Sequence, residues 1–243
     1  MKVGEIVGEA LDYPGTDLKK VVTLGALKVI LSFLIIPMFL VYGYWLRVLK
    51  ATIAGFDELP DFDEWGGMFI DGLKVLVVGI VYMIIPMIFL VAGILSISIN
   101  PTDPTFGIIS IVIGVILAII FALVEQIAIA HMAFNDRIGA AFQIGEILNV
   151  ISEITWTKYI IWIIGVAIIQ SGTMNVTLAI LGLIFLPIIS AFGALSLTQM
   201  NLGAGLAIFV IGFIIAALII YLFVVPYLAI FHSRALGRLY ADR

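Results

Sequence analysis

From Tyr159 to Ser233 the chain runs for 75 residues without one Asp, Glu, Lys or Arg. A helix needs about 20 apolar residues to cross roughly 30 Å of hydrocarbon. The run has room for three passes joined by two short turns, and it commits the chain to a membrane. Composition agrees. Of the 243 residues, 63% are hydrophobic and 12% charged, with a mean hydropathy of +1.27, against about 25% charged in soluble domains. A net charge of −4 without any basic block argues against a nucleic-acid partner. The absence of cysteine removes disulfides, thiolate nucleophiles and thiolate metal sites together.

The pattern predicts an all-α, polytopic helical membrane protein built as one integral membrane domain over residues 1–243. Six hydrophobic segments are expected, at about 21–46, 73–99, 106–130, 156–169, 176–197 and 204–231. Two amphipathic stretches, 3–11 and 137–153, are expected to lie along the bilayer interface. The first places Val3, Ile6, Val7, Ala10 and Leu11 at helical spacing; the second carries Gln143, Glu146, Asn149 and Glu153 on its polar side. Glu5, Glu9, Asp12 and Asp17 stand where a cleaved signal peptide would be basic, so the first apolar segment is expected to stay as a membrane helix.

Small residues mark helix-packing faces. Gly72, Gly79, Pro86 and Gly93 recur every seven residues, and Ser110, Gly114, Ala118 and Ala122 every four, extended by Gln126 and Ala130. Connections at 100–105, 170–175 and 198–203 carry no basic residue. Two topologies fit. Six crossings divide lysine and arginine seven against five between the two sides. Four crossings plus two re-entrant hairpins, turning at Pro37 and Pro187, put all of them on one side. A faint internal echo pairs Lys19, Lys20, Pro37 and Gly43 with Lys158, Pro187 and Gly193.

Few residues offer chemistry. Glu125 sits inside the third segment beside the small-residue stripe, as an ion or proton site or as a near-interface carboxylate bonded to another helix. Lys28, within the first segment, either snorkels to the interface or joins Glu125 and Gln126 in an intramembrane polar site. Asp57, Glu58, Asp61, Asp63 and Glu64 make an acidic loop, but the spacing of a calcium loop with its central glycine is missing. A solvated cap that could dock a basic partner is the simpler reading. His131 and His232 make a weak metal pair, and no metal site or cofactor is expected from them. No nucleophile–base motif, phosphate-cradling glycine loop or zinc-binding helix pair is present.

Three stretches carry a resemblance: Gly43-Tyr44-Trp45-Leu46-Arg47, Leu59-Pro60-Asp61-Phe62-Asp63-Glu64-Trp65 and Asp71-Gly72-Leu73-Lys74. They resemble the domain-of-unknown-function 4013 family of mainly archaeal membrane proteins. Ala141-Phe142 and the stretch from Pro187 to Gly193 are also similar to that family. More distantly, the architecture is similar to the membrane domain of some glycerophosphodiester phosphodiesterases, whose catalytic barrel this chain lacks. The resemblance implies a helical membrane fold, an archaeal type of source and no transferable activity. The expectation is a non-enzymatic, multi-pass protein of the cell membrane that acts by lipid contact or by scaffolding a protein partner. The alternative is a transporter or channel for a small solute or lipid.

Overall fold

The computed structural model describes residues 1–31, 36–198 and 202–243, and all its regular structure is helical. In chain order, α1 (Val3–Asp12) leads through a 3-10 turn at Tyr13–Asp17 into α2 (Leu18–Leu31) and α3 (Ile36–Ile53). After the acidic loop come α4 (Trp65–Ile99) and α5 (Thr105–Asn135), then a 3-10 turn at Ile138–Phe142 and α6 (Ile144–Ile154). The chain ends with α7 (Trp156–Thr198), α8 (Leu202–Ile219), a π-helical turn at Ile220–Val224 and α9 (Val225–Ala241).

Among the described residues, four helical stretches are long and apolar enough to cross a membrane: Trp65–Ile99, Thr105–Asn135, Trp156–Ile188 and Phe209–Ala241. Four candidates stand where six segments were expected, and two features account for the difference. α2 and α3 are not the two halves of one through-helix. Lys20, at the start of α2, and Arg47, near the end of α3, both pair with acids of the same loop, Asp61 and Asp63. The two helices therefore enter and leave at one end of the molecule.

The expected connection at 170–175 is also absent, because α7 runs through it as one helix of 43 residues. Its polar side chains turn back onto their own helix. Ser171 Oγ donates to the Ala167 carbonyl at 2.7 Å, Asn175 Nδ2 to Ser171 at 2.8 Å and Thr177 Oγ1 to Thr173 at 2.8 Å. A serine–threonine–asparagine run so satisfied gives the helix no reason to stop. Pro187 lies inside the same helix and makes no re-entrant turn there. The connection expected at 198–203 falls mostly on 199–201, outside the described residues, as do the residues just before Pro37.

α4 and α5 pack as an antiparallel pair along the stripes read from the sequence. Gly93 lies against Gly107 and Ile111, Gly114 against Leu90, and Ser110 Oγ donates to the Phe89 carbonyl at 2.8 Å. Gly72 departs from the stripe and faces Phe39 of α3 instead. α7 and α8 form the other long pair.

At the charged end, which we call the base, are a smaller buried cluster around Tyr44 and Met68 and the larger main core. Ile6, Val7 and Ala10 of α1, Ile147, Val150, Ile151 and Ile154 of α6, and Trp162, Phe231 and Leu239 all belong to it. The apolar face of α1 is therefore covered by protein, chiefly α7 and α9, and does not lie on the bilayer. α6 divides its apolar residues: Ile147 and Ile151 point into the core, while Ile144 and Leu148 stay exposed.

Candidate functional site

The three stretches that carry the family likeness meet in the base. Gly43 lets α3 meet the backbone of α4 at Met68, as Gly72 does at Phe39. This close approach sets Tyr44 under the acidic loop, where its hydroxyl donates to the Pro60 carbonyl at 3.0 Å and its ring stacks on Phe62 at 4.3 Å. Arg47 donates to the Asp63 carboxylate at 2.7 Å and to the carbonyls of Asp63 and Glu64 at 2.8 and 3.1 Å. One turn on, Lys50 bridges Asp71 at 2.9 Å and Asp136 at 2.6 Å, and Lys74 pairs with Asp71 at 2.9 Å.

A loop without a hydrogen-bonding ladder must find other donors for its carbonyls. Here they come from side chains: Tyr13 to Glu58 at 2.8 Å, Lys20 to Leu59 at 2.6 Å and Arg234 to Phe56 at 2.6 Å. Arg234 is the centre of the arrangement and was not singled out by the sequence. It is 2% exposed, stacks 4.2 Å from the Tyr13 ring, and pairs with Glu9 at 2.9 Å and Asp57 at 2.5 Å. Arg238, one turn along α9, also binds Glu9 and Asp57. The i, i+4 spacing of the two arginines was legible, but their partners lie more than 170 residues away in the chain.

Among the acids named in advance, Asp57, Asp61, Asp63 and Glu64 are thus each paired with the chain's own cations, and Glu58 is held through its backbone. Hydrogen bonding from Arg234 holds the Asp57 carboxyl below its usual range, and Lys20 does the same for Asp61. Lys158 does so for Asp242. Carboxyls depressed by folding stabilise the protein above their unfolded values and lose that contribution as pH falls through the lowered folded ones. The melting temperature of the purified protein should hold on the neutral side and fall once pH drops below about 4. A melting temperature that rises on acidification in that range would contradict the pairing.

The proposed intramembrane polar group is not brought together. Glu125 lies in the α4–α5 pair, where its carboxylate approaches Gly79. Lys28 sits on α2 with its ammonium 5.8 Å from the centre of the Tyr221 ring. No ion pair joins the two among the described residues. Gln126 Oε1 is buried without a hydrogen-bond partner. The histidines are separate as well: His131 Nδ1 lies 2.7 Å from the Tyr240 hydroxyl, and His232 Nδ1 3.4 Å from Gln170 Nε2. No cluster of three metal-ligating side chains occurs among the described residues.

A protein from Methanocaldococcus jannaschii, the uncharacterized protein MJ1189, is 29% identical over 138 residues, which cover 54% of this chain and 46% of that one. The chain thus aligns with about half the length of this curated relative. No solved structure matches. The family model described as protein of unknown function DUF4013 matches residues 30–182, a stretch that includes α3, the acidic loop and α4. With well over half its length inside that match, the chain belongs to the domain-of-unknown-function 4013 family.

Proposed function

We propose that this is a four-span protein of the cell membrane, with its charged base in the cytoplasm. We propose further that it acts without catalysis, by contact with lipid. The bareness of the spans carries this reading. On α8, Phe209, Val210, Ile211, Phe213, Ile214 and Ile215 are all exposed, and these positions cover the broad side of the helix away from α7. α4 likewise exposes Ile84, Ile85, Met87, Ile88 and Val91. Exposed apolar faces this broad belong in hydrocarbon.

Orientation follows from the cations. All 12 lysines and arginines lie outside residues 75–136 and 159–233, the stretches that hold the two long helix pairs. The positive-inside bias then assigns the base to the cytoplasm. Lipid contact is favoured over docking of a basic partner because four of the five loop acids are already paired within the chain. Transport is the second reading, supported by Glu125 beside Gly79 and by the unpartnered Gln126 oxygen, since intramembrane polar groups often mark ion paths.

Single cysteines test both readings, because the native chain has none. In sealed vesicles, Lys2→Cys, Glu58→Cys and Asp242→Cys should be labelled from the cytoplasmic face and Asp103→Cys from the opposite one. Labelling of Glu58→Cys on the face opposite Lys2→Cys would overturn the proposed topology. Ala122→Cys, one turn from Glu125, should resist a membrane-impermeant thiol reagent. Its rapid reaction would reveal a water path and favour transport.

A further inference from the structure

We infer that the α7–α8 pair binds one chain of an anionic membrane lipid, with the headgroup held by Lys28. The inference deepens the lipid-contact reading and rests on it. Between the two helices lies a cavity of about 380 Å³, bounded by Leu178, Leu181, Phe185, Phe213, Ile220 and Tyr221. That volume falls within the range of about 300–1,000 Å³ typical of small-molecule sites. Leu178, Phe213 and Tyr221 on its wall are exposed, so the space is an open groove that a chain can enter from the side. The lining is aliphatic and aromatic, so a hydrophilic solute would lose its hydration there without compensation. Hydrocarbon chains suit such walls, and both helices stand exposed along most of their length.

A local device brings the cation to the edge of this cavity. The π-helical turn at Ile220–Val224 widens the helix where Tyr221 lines the cavity, and such turns are frequent at functional sites. α2 packs directly on that turn. Gly25 makes this possible, since any side chain there would run into the Leu222 backbone. Lys28 is three residues along the same face of α2, and the close approach at Gly25 delivers its ammonium to the Tyr221 ring. A positive charge beside an apolar cavity selects an amphiphile whose head is negative, a phosphate or carboxylate on a hydrocarbon tail. A zwitterionic or neutral head gains less from it.

The test uses the full-length protein in vesicles containing a trace of phosphatidylglycerol or phosphatidylcholine, each with a photoactivatable group in its acyl chain. Crosslinked peptides are then mapped by mass spectrometry. The phosphatidylglycerol probe should label residues 178–186 and 209–221 about fivefold more than the phosphatidylcholine probe, the preference expected of one lysine at a lipid headgroup. Lys28→Met should remove the preference and Lys28→Arg should keep it. Gly182→Phe should abolish labelling by both probes in these segments. Gly182 lines the cavity, and a side chain started there meets no other atom within 4 Å, so the fold should tolerate the change. Equal labelling by the two probes, or labelling unchanged in Lys28→Met and Gly182→Phe, overturns the site. If labelling is instead spread evenly over α4, α5, α7 and α8, lipid contact stands and the specific site fails. If the spans are not labelled at all, lipid contact fails with it.

Discussion

Arg234→Leu should lower the melting temperature of the purified protein further than the loss of any other single cation, by the equivalent of about 2–3 kcal/mol. Breaking a fully buried ion pair typically costs about 3–5 kcal/mol, because the remaining charge is left uncompensated. Here the guanidinium is 2% exposed, whereas the Glu9 and Asp57 side chains are 36% and 76% exposed. Both acids therefore keep access to water, and both keep Arg238 as a partner, which lowers the expected cost. The Phe56 carbonyl loses its donor and Tyr13 loses its stacking partner, which adds to it. Arg234→Lys keeps the charge but cannot reach Glu9, Asp57 and the Phe56 carbonyl together, so it should fall between the wild type and Arg234→Leu. Thermal melting in detergent measures all three proteins. If Arg234→Leu melts with the wild type, Arg234 is not the centre of the base.

The other large effect belongs to Gly43 and Gly72. Gly43→Val and Gly72→Val should each cost at least the upper end of the range for overpacking, about 3 kcal/mol. At both positions the added atoms would run into a backbone carbonyl of the facing helix, Met68 for Gly43 and Phe39 for Gly72. A crowded side chain can rotate away, but a helix backbone can only move as a whole. Separating α3 from α4 would also pull Tyr44 and Arg47 away from the acidic loop, so the damage should reach the base. Gly172→Ala supplies the control. Nothing lies within 4 Å of the position, so this change should be neutral or should stabilise α7 by up to about 1 kcal/mol. The readout is the yield of monodisperse protein and its melting temperature. Similar behaviour of Gly43→Val and Gly172→Ala would refute the backbone contact.

Much of this was legible in the chain. The stripes of small residues in α4 and α5 named the faces on which those helices meet, because close backbone approach requires small side chains wherever it occurs. The three motif stretches also proved to be neighbours, although nothing in their spacing indicates that Tyr44 stacks on Phe62. Arg234 was passed over because it reads as the first cation after a membrane segment, a common boundary feature. Its burial depends on Glu9 and Phe56, which are remote in sequence. Residues 170–175 were misread for the opposite reason. A cluster of serine, threonine, glycine and asparagine is a turn signal in water, yet inside a long helix the same side chains bond to the carbonyl one turn back.

The sequence by itself determined the helical class, the membrane and the positions of the bare apolar stretches, because hydropathy sums over residues adjacent in the chain. It could not decide how many of those stretches cross. That choice depends on where the chain reverses, and here the reversals are governed by pairings between distant residues. Lys20 and Arg47 meet one acidic loop and hold the outer ends of α2 and α3 together, whereas no such pairing interrupts α7 among the described residues. The tertiary structure also decided that the arginines of α9 are paired within the chain, and that Lys28 lies by the π-helical turn while Glu125 lies in the α4–α5 pair. Charge is written in the sequence, but its partner is a property of the fold.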